Sequence, residues 1–245
     1  SLDGTRLVVG ALNDDGVGNV VNDSGAVYLF EFEDLNLTAP SLTGMLGEKY
    51  KGSNSLDLSG SLNSYELFGI STSLDGTNLA VGASGDNGAS DSSIFSGSGA
   101  VYLFEFADLN FSNPSLSATI GKGYIGGNNY NLTGLLEQSD HFGAGVSLDG
   151  TRLAVGAFGD DGASNSLDTT GAVYLFKFAD SSFNSPTLSA TIGVGYTGAN
   201  NVDLSGLLTD ADQFGMSVSL DGVLLAVGAI GDDGASDSLY DSGAV

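Results

Sequence analysis

The chain has 245 residues and a formal net charge of −24, with six Lys and Arg against thirty Asp and Glu. That balance excludes phosphate-backbone binding as a main activity, since nucleic-acid affinity rests on cationic side chains, and it excludes an anionic membrane surface for the same reason. With 41% hydrophobic residues the acidity is not a mark of disorder, and without Cys no disulfide forms. Twenty-four of the thirty acids are Asp, and 38 residues are Gly. Asp belongs to turns and caps, whereas Glu and Lys fill helix surfaces, so the composition predicts an all-β chain. No apolar run approaches the roughly 18 residues of a membrane span.

The sequence repeats itself about every 72 residues. Ser-Leu-Asp-Gly begins at Ser1, Ser73, Ser147 and Ser219, Gly-Ala-Val begins at Gly25, Gly99, Gly171 and Gly243, and the three prolines, Pro40, Pro114 and Pro186, hold one equivalent position. Fixed-period self-similarity signals arrays or propellers, in which each unit buries its faces against its neighbours. The expected division is 1–67 (a partial unit), 68–141, 142–213 and 214–245 (a partial unit). Both ends fall at the same phase, which reads as a stretch of a longer array.

Within a unit the elements are legible in chain order. A hairpin comes first, with turns expected at Asp3-Gly4, Asp75-Gly76, Asp149-Gly150 and Asp221-Gly222, because Asp-Gly suits a type I′ turn. Pairing outward from the last of these sets Leu220 opposite Val223, Val218 opposite Leu225 and Met216 opposite Val227, all on one face. The position held by Arg6, Asn78, Arg152 and Leu224 is expected to look into solvent. A third strand at 26–32, 100–106 and 172–178 is apolar on both faces through its first half, as a strand between neighbouring sheets should be. The fourth, Leu116–Ile120 and Leu188–Ile192, follows the proline and reads as an edge strand. Four antiparallel strands per unit make a blade or an equivalent stacked sheet.

The order Phe-Gly (Phe68, Phe142, Phe214), hairpin, Gly-Ala (Gly10, Gly82, Gly156, Gly228), then Gly-Ala-Val-Tyr-Leu-Phe resembles the FG-GAP repeat. The chain is similar to the blades of the integrin α-subunit β-propeller, and more so to bacterial FG-GAP repeats of large secreted and surface proteins. The resemblance implies tandem four-stranded blades of about 72 residues, in a β-propeller or propeller-like array, outside the cell. One departure matters. Integrin-type blades carry an Asp-x-Asp-x-Asp-Gly calcium loop in the first hairpin, where this chain has only Ser-Leu-Asp-Gly with a single acid such as Asp75 or Asp149. One carboxylate cannot supply the six to eight or so oxygens calcium takes, so that site does not carry over.

A different acidic loop follows Gly-Ala. Its first, second and sixth positions are Asp14, Asp15 and Asn19; Asp86, Asn87 and Asp91; Asp160, Asp161 and Asn165; Asp232, Asp233 and Asp237. Adjacent carboxylates in a glycine-kinked loop repel unless solvated or bridged by a cation, which makes these residues candidate Ca2+ ligands, with Asp23, Asp168 and Asp241 available to complete a shell. The competing reading is a polar turn in which Asp and Asn bond their own backbone. Glu66, Asp140 and Asp212, two residues before each Phe-Gly, are expected to cap the turn into the strand. The Gly- and Asn-rich segments 124–131 and 196–203 are either sugar-binding loops or exposed connections.

Catalysis finds little support. The one histidine, His141, has Leu67 and Gln213 as its equivalents and reads as an incidental surface residue. The acids obey the repeat, whereas an active site breaks it. The leading expectation is a non-catalytic structural or adhesive segment of a large extracellular or cell-surface protein. Its partners are neighbouring repeats and a protein or glycan on another surface, with no nucleic acid and no membrane insertion. The alternatives are a ligand-binding propeller and a subunit of an extracellular filament or sheath.

Overall fold

A computed structural model describes residues 1–90, 97–234 and 240–245. Every element among those residues is a strand. The first unit holds β1 (Leu2–Asp3), β2 (Arg6–Ala11), β3 (Ala26–Glu31), β4 (Ser41–Gly47) and β5 (Leu56–Asp57); the second holds β6 (Phe68–Asp75), β7 (Asn78–Ala83), β8 (Ala100–Glu105), β9 (Ser115–Gly121) and β10 (Tyr130–Asn131). The third repeats this with β11 (Phe142–Asp149), β12 (Arg152–Ala157), β13 (Ala172–Lys177), β14 (Thr187–Gly193) and β15 (Val202–Asp203), and β16 (Phe214–Asp221) and β17 (Leu224–Ala229) begin a fourth. Strands follow sequence order across each sheet, so every blade is a meander. The fold is all-β and propeller-like, and the described units form no closed ring.

The expected four strands are joined by a fifth. β5, β10 and β15 are two residues long and run parallel to the strand before them. The proline-led fourth strand is therefore not the edge over its last two residues. A two-residue strand is too short to leave a periodic signal, so only the structure shows it.

The hairpin turn also sits one residue later than expected. Asp149 pairs with Arg152 and Leu148 with Leu153, which makes Gly150 and Thr151 the central pair. Only the glycine has φ > 0, at +58°, and these are the φ signs of a type II′ turn rather than I′. In the fourth unit Leu220 consequently faces Leu225 and Val218 faces Val227. The shared apolar face survives the correction, but Val223 leaves the ladder for the turn and is 94% exposed. Met216 leaves it too, because a bulge separates the Phe214 and Ser217 pairs.

Blades stack through their first strands: β6 packs on β2, β11 on β6 and β7, and β16 on β11 and β12. The stacking explains the repeated motifs. A Cβ added at Gly10, Gly82 or Gly156 would stand 1.7, 1.8 or 1.7 Å from the carbonyl oxygen of Gly69, Gly143 or Gly215. The glycine of each Gly-Ala element thus lies backbone to backbone against the Phe-Gly glycine of the next unit, at the bulge where that second glycine takes φ of +91 to +94°. Beside it, the N–H groups of Phe68, Phe142 and Phe214 donate to the carbonyls of Ser24, Ser98 and Thr170 at 3.1, 3.1 and 3.0 Å. The two signature elements are the two halves of one joint.

Ser-Leu-Asp-Gly closes the same joint at its other end. The hydroxyls of Ser1, Ser73 and Ser147 accept from the N–H of Leu74, Leu148 and Leu220 at 3.0, 2.9 and 2.9 Å. Likewise the carboxylates of Asp3, Asp75 and Asp149 accept from the N–H of Gly76, Gly150 and Gly222 at 3.1, 2.6 and 2.8 Å. Each unit therefore lends two acceptors to the turn of the next. Asp75→Ala is expected to cost about 1–2 kcal/mol, the loss of one charge-assisted bond at a half-buried position. A urea melt checks it, and an unchanged midpoint would mean that water replaces the carboxylate freely.

Arg6 and Asn78 correct the solvent-facing expectation, since both are buried. The outer hairpin of the following unit covers them: the Arg6 guanidinium lies 5.6 Å from the Phe111 ring centroid, and the Asn78 amide donates to the Ser181 carbonyl at 2.7 Å. Arg6 and Arg152 also bond the carbonyls of Gly76 and Gly222 in the next turn. Leu224, with no such hairpin over it, is 72% exposed. The core lies between blades. Val101, Leu103, Ala118 and Ile120 of the second unit share one buried cluster with Phe142, Val146, Leu153, Tyr174 and Phe176 of the third.

Candidate functional site

The acidic loops turn sharply off the second strand of each unit, where the N–H of Asp14, Asp86 and Asp160 donates to the carbonyl of Ala11, Ala83 and Ala157 at 3.1–3.2 Å. The carboxylate then accepts the N–H two residues on, from Gly16, Gly88, Gly162 and, in the fourth copy, Gly234, at 2.6–2.8 Å. This is the Asx turn that favours Asp before glycine. The Asp carbonyl fastens the far end of the loop, accepting the N–H of Gly25, Gly99, Gly171 and Gly243 at 2.8–2.9 Å.

What the sequence reading missed is the cover over this carboxylate. Tyr28 and Tyr50 donate their hydroxyls to Asp14 at 2.7 and 2.9 Å. Tyr102 and Tyr124 do so to Asp86 at 2.8 and 2.7 Å, and Tyr174 and Tyr196 to Asp160 at 2.7 and 2.8 Å. One tyrosine stands on the third strand and the other just beyond the fourth. Asp86 and Asp160 are almost wholly buried beneath them. Burial raises the pKa of both acids, opposed by the tyrosine and glycine hydrogen bonds. Burial, reinforced by the acid beside them, also lifts all four of these hydroxyls far above the ordinary phenol range, so they remain donors. The signal was present in the sequence. The two tyrosines are 22 residues apart in every copy, but the first sits in an apolar strand and reads as core.

The second position does separate work. Asp15, Asn87, Asp161 and Asp233 accept the N–H of Asp23, Gly97, Thr169 and Asp241 at 2.6–2.8 Å, bracing the loop across its width. Asn19 and Asn165, at the sixth position, are exposed and left-handed, with φ of 52 and 47°. Their counterparts Asp91 and Asp237 lie outside the described residues. Asp23 and Asp241 enter through their backbone N–H, and Asp168 is exposed. Among the described residues no three acidic or histidine side chains form a group able to hold a metal ion. In the first three copies the first carboxylate is engaged by three donors, and the second side chain turns to the far side of its own loop, so the described donor set does not fit a calcium shell of six or more oxygens.

Glu66, Asp140 and Asp212 are each about 97% buried. Asp140 and Asp212 accept the N–H of Glu137 and Thr209 at 2.8 Å, closing the turn into Phe-Gly. Glu66 accepts instead from the Asn63 side chain at 2.8 Å. His141 is not incidental: its ring stacks on Phe158 with centroids 4.8 Å apart, and its Nδ1 lies 3.1 Å from the Ser84 carbonyl of the preceding unit's loop. In segments 124–131 and 196–203 four polar side chains bond backbone. Asn129 and Asn201 accept from Thr119 and Thr191, while Asn131 and Asp203 accept from Gly123 and Gly195, all at 2.7–2.8 Å.

The residues that recur therefore bond one another or a neighbouring unit. Two stretches, 136–176 and 209–245, match the family model of the FG-GAP repeat. Each contains one Phe-Gly and one Gly-Ala element, the motifs that meet across the joint. No curated protein matches the chain.

Proposed function

Because the chain is an FG-GAP repeat protein, we propose that it is a non-catalytic structural segment of a larger extracellular or surface protein, serving reach and adhesion. FG-GAP repeats occur in adhesive and extracellular proteins, and no helix among the described residues is long and apolar enough to cross a membrane. One observation carries the reading. Most polar residues that the copies keep are consumed by the joint, the loop braces or the Asp–tyrosine anchor, and among the described residues no three acidic or histidine side chains converge on one point. In this reading the acidic loops are hydrogen-bonded turns that hold without an ion. The strong negative charge keeps like surfaces apart and soluble, which suits a displayed spacer.

Partner contacts then belong where units differ, in the linkers before Phe-Gly and in the second half of the acidic loops. The test is protease shaving of intact cells of the source organism. Peptides from the exposed linkers around Leu135 and Leu207 should be released while cytoplasmic markers stay intact. Absence of these peptides on intact cells, with release only after lysis, would overturn an external location. Hydrolysis of a polysaccharide or peptide by the purified chain, lost on changing a single acid, would overturn the non-catalytic assignment.

A further inference from the structure

The linkers before Phe-Gly differ where the sheets they lead into do not. Ser61 and Asn63 precede the second unit, whereas the later linkers hold Leu135 and Glu137, then Leu207 and Thr209. Ser61 and Asn63 form one side of a solvent-open cavity of about 410 Å3, within the roughly 300–1,000 Å3 of small-molecule sites. The other side belongs to the second unit itself, from its acidic loop, β8, β9 and the segment beyond β9. The nine lining residues on that side recur without exception in the third unit, between Gly162 and Asn201. Among the lining residues, the linker alone sets the two units apart.

The lining is uncharged and rich in hydrogen-bonding groups. Thr119 is only 4% exposed. Its N–H donates to Asn129 at 2.7 Å, but its hydroxyl bonds no described residue. A hydroxyl so deeply buried costs free energy until something bonds it. The Ser61 carbonyl accepts the Tyr102 hydroxyl at 3.2 Å, while the Ser61 hydroxyl bonds no described residue either. Asn63 gives an amide hydrogen to Glu66 at 2.8 Å and keeps its carbonyl oxygen as an acceptor. Ser117 donates to Glu105 at 2.6 Å, which leaves its lone pairs for a donor from outside. Half-buried Leu116 and Tyr124 supply an apolar wall among these groups.

We propose that this cavity binds neutral carbohydrate, taking the terminal mono- or disaccharide of a glycan. Such a ligand carries hydroxyls that donate and accept at once, and a C–H face that packs on a ring such as Tyr124. Anions are disfavoured. Asp86, Glu66 and Glu105 stand directly behind Tyr102, Asn63 and Ser117, so a phosphate or carboxylate would meet like charge at close range. A wholly apolar ligand would strand the Thr119 and Ser61 hydroxyls. The proposal names a partner class for the adhesive reading, and it rests on that reading only for the surface that presents the glycan.

Titration of the purified intact chain with lactose, maltose and N,N′-diacetylchitobiose tests it, read by the side-chain amide NMR signals of Asn63, Asn129 and Asn201. At least one sugar should shift Asn63 and Asn129 saturably, with a dissociation constant of about 1 mM or below. Asn201, the third unit's counterpart of Asn129, should stay in place. Ser61→Leu, which installs the side chain of the other two linkers, should abolish the shift and leave the remaining spectrum unmoved. Thr119→Val removes the hydroxyl, keeps the shape, and should weaken binding about threefold to tenfold. The proposal is overturned by no saturable shift with any of the three sugars, by equal shifts at Asn129 and Asn201, or by unchanged binding in Ser61→Leu. Tighter binding of glucose 6-phosphate than of the neutral sugars overturns it too. Failure here removes the glycan and leaves the external location standing, whereas failed protease shaving would leave sugar binding by the purified chain intact.

Discussion

Gly82→Ala is expected to unfold the joint between the second and third units, at a cost above about 4 kcal/mol. The added Cβ would lie 1.8 Å from the Gly143 carbonyl oxygen and 2.4 Å from the Ser71 hydroxyl. The hydroxyl can rotate away, although it then gives up its 2.7 Å bond to the Gly143 carbonyl. The carbonyl cannot, because it belongs to the bulged backbone of the next blade. Relief requires the two sheets to separate, which uncovers the apolar cluster they share. Gly76→Ala is the control. Its Cβ meets nothing within 4 Å, so only the left-handed φ of +58° is charged against alanine, about 1 kcal/mol. Denaturant melts of the two variants should differ severalfold in lost stability. Equal losses would show that the glycine is there for its backbone freedom and that the units do not touch as described.

The second large effect belongs to the anchor. Asp160→Ala should cost about 3 kcal/mol, because it takes the acceptor from the Gly162 N–H and from both the Tyr174 and Tyr196 hydroxyls, of which only one can turn to the other at 3.1 Å. Removing the stranded donors as well should recover part of the loss, so Asp160→Ala with Tyr174→Phe and Tyr196→Phe should be more stable than Asp160→Ala alone. Asp161→Ala gives up one bond, to the Thr169 N–H at 2.8 Å, and should cost about 1 kcal/mol. A calcium chelator should move none of these melting curves. A chelator-sensitive melt in the unmodified chain, abolished equally by either Asp substitution, would restore an ion to the loop.

The period, the all-β class and the family resemblance were legible because each rests on residues recurring in fixed phase. The parts that were not legible are contacts between units. Gly10 and Gly69 are remote in sequence, and nothing local says that their backbones touch. Arg6 reads as solvent-facing because three of the four copies hold Arg or Asn at its position, and only the next unit's outer hairpin, with Phe111, buries it. The turn was displaced by one residue because Asp-Gly serves two hairpin types. Gly supplies φ > 0 in both, and the choice falls to the following Thr or Val, for which a left-handed φ is a strained conformation. The acidic loops leave a cation site and a polar turn both open, since pattern alone does not reveal that tyrosine hydroxyls arrive from the third strand and from beyond the fourth.

The joint also has a direction. Each unit presents Ser and Asp oxygens forward and offers Leu and Gly N–H groups backward, so the front of one unit fits the back of another and never its own kind. Such head-to-tail surfaces have no twofold axis and do not terminate themselves by pairing. Because the Ser, Asp and glycine contacts use backbone or residues common to the copies, any front offers any back the same hydrogen bonds there. Duplicating or excising one whole period leaves the Ser, Asp and paired-glycine contacts of every seam in place. Array length is thus free to vary by recombination, with no compensating substitution at the point of exchange, and a lineage can lengthen or shorten this protein in whole blades while the rules of assembly stay fixed.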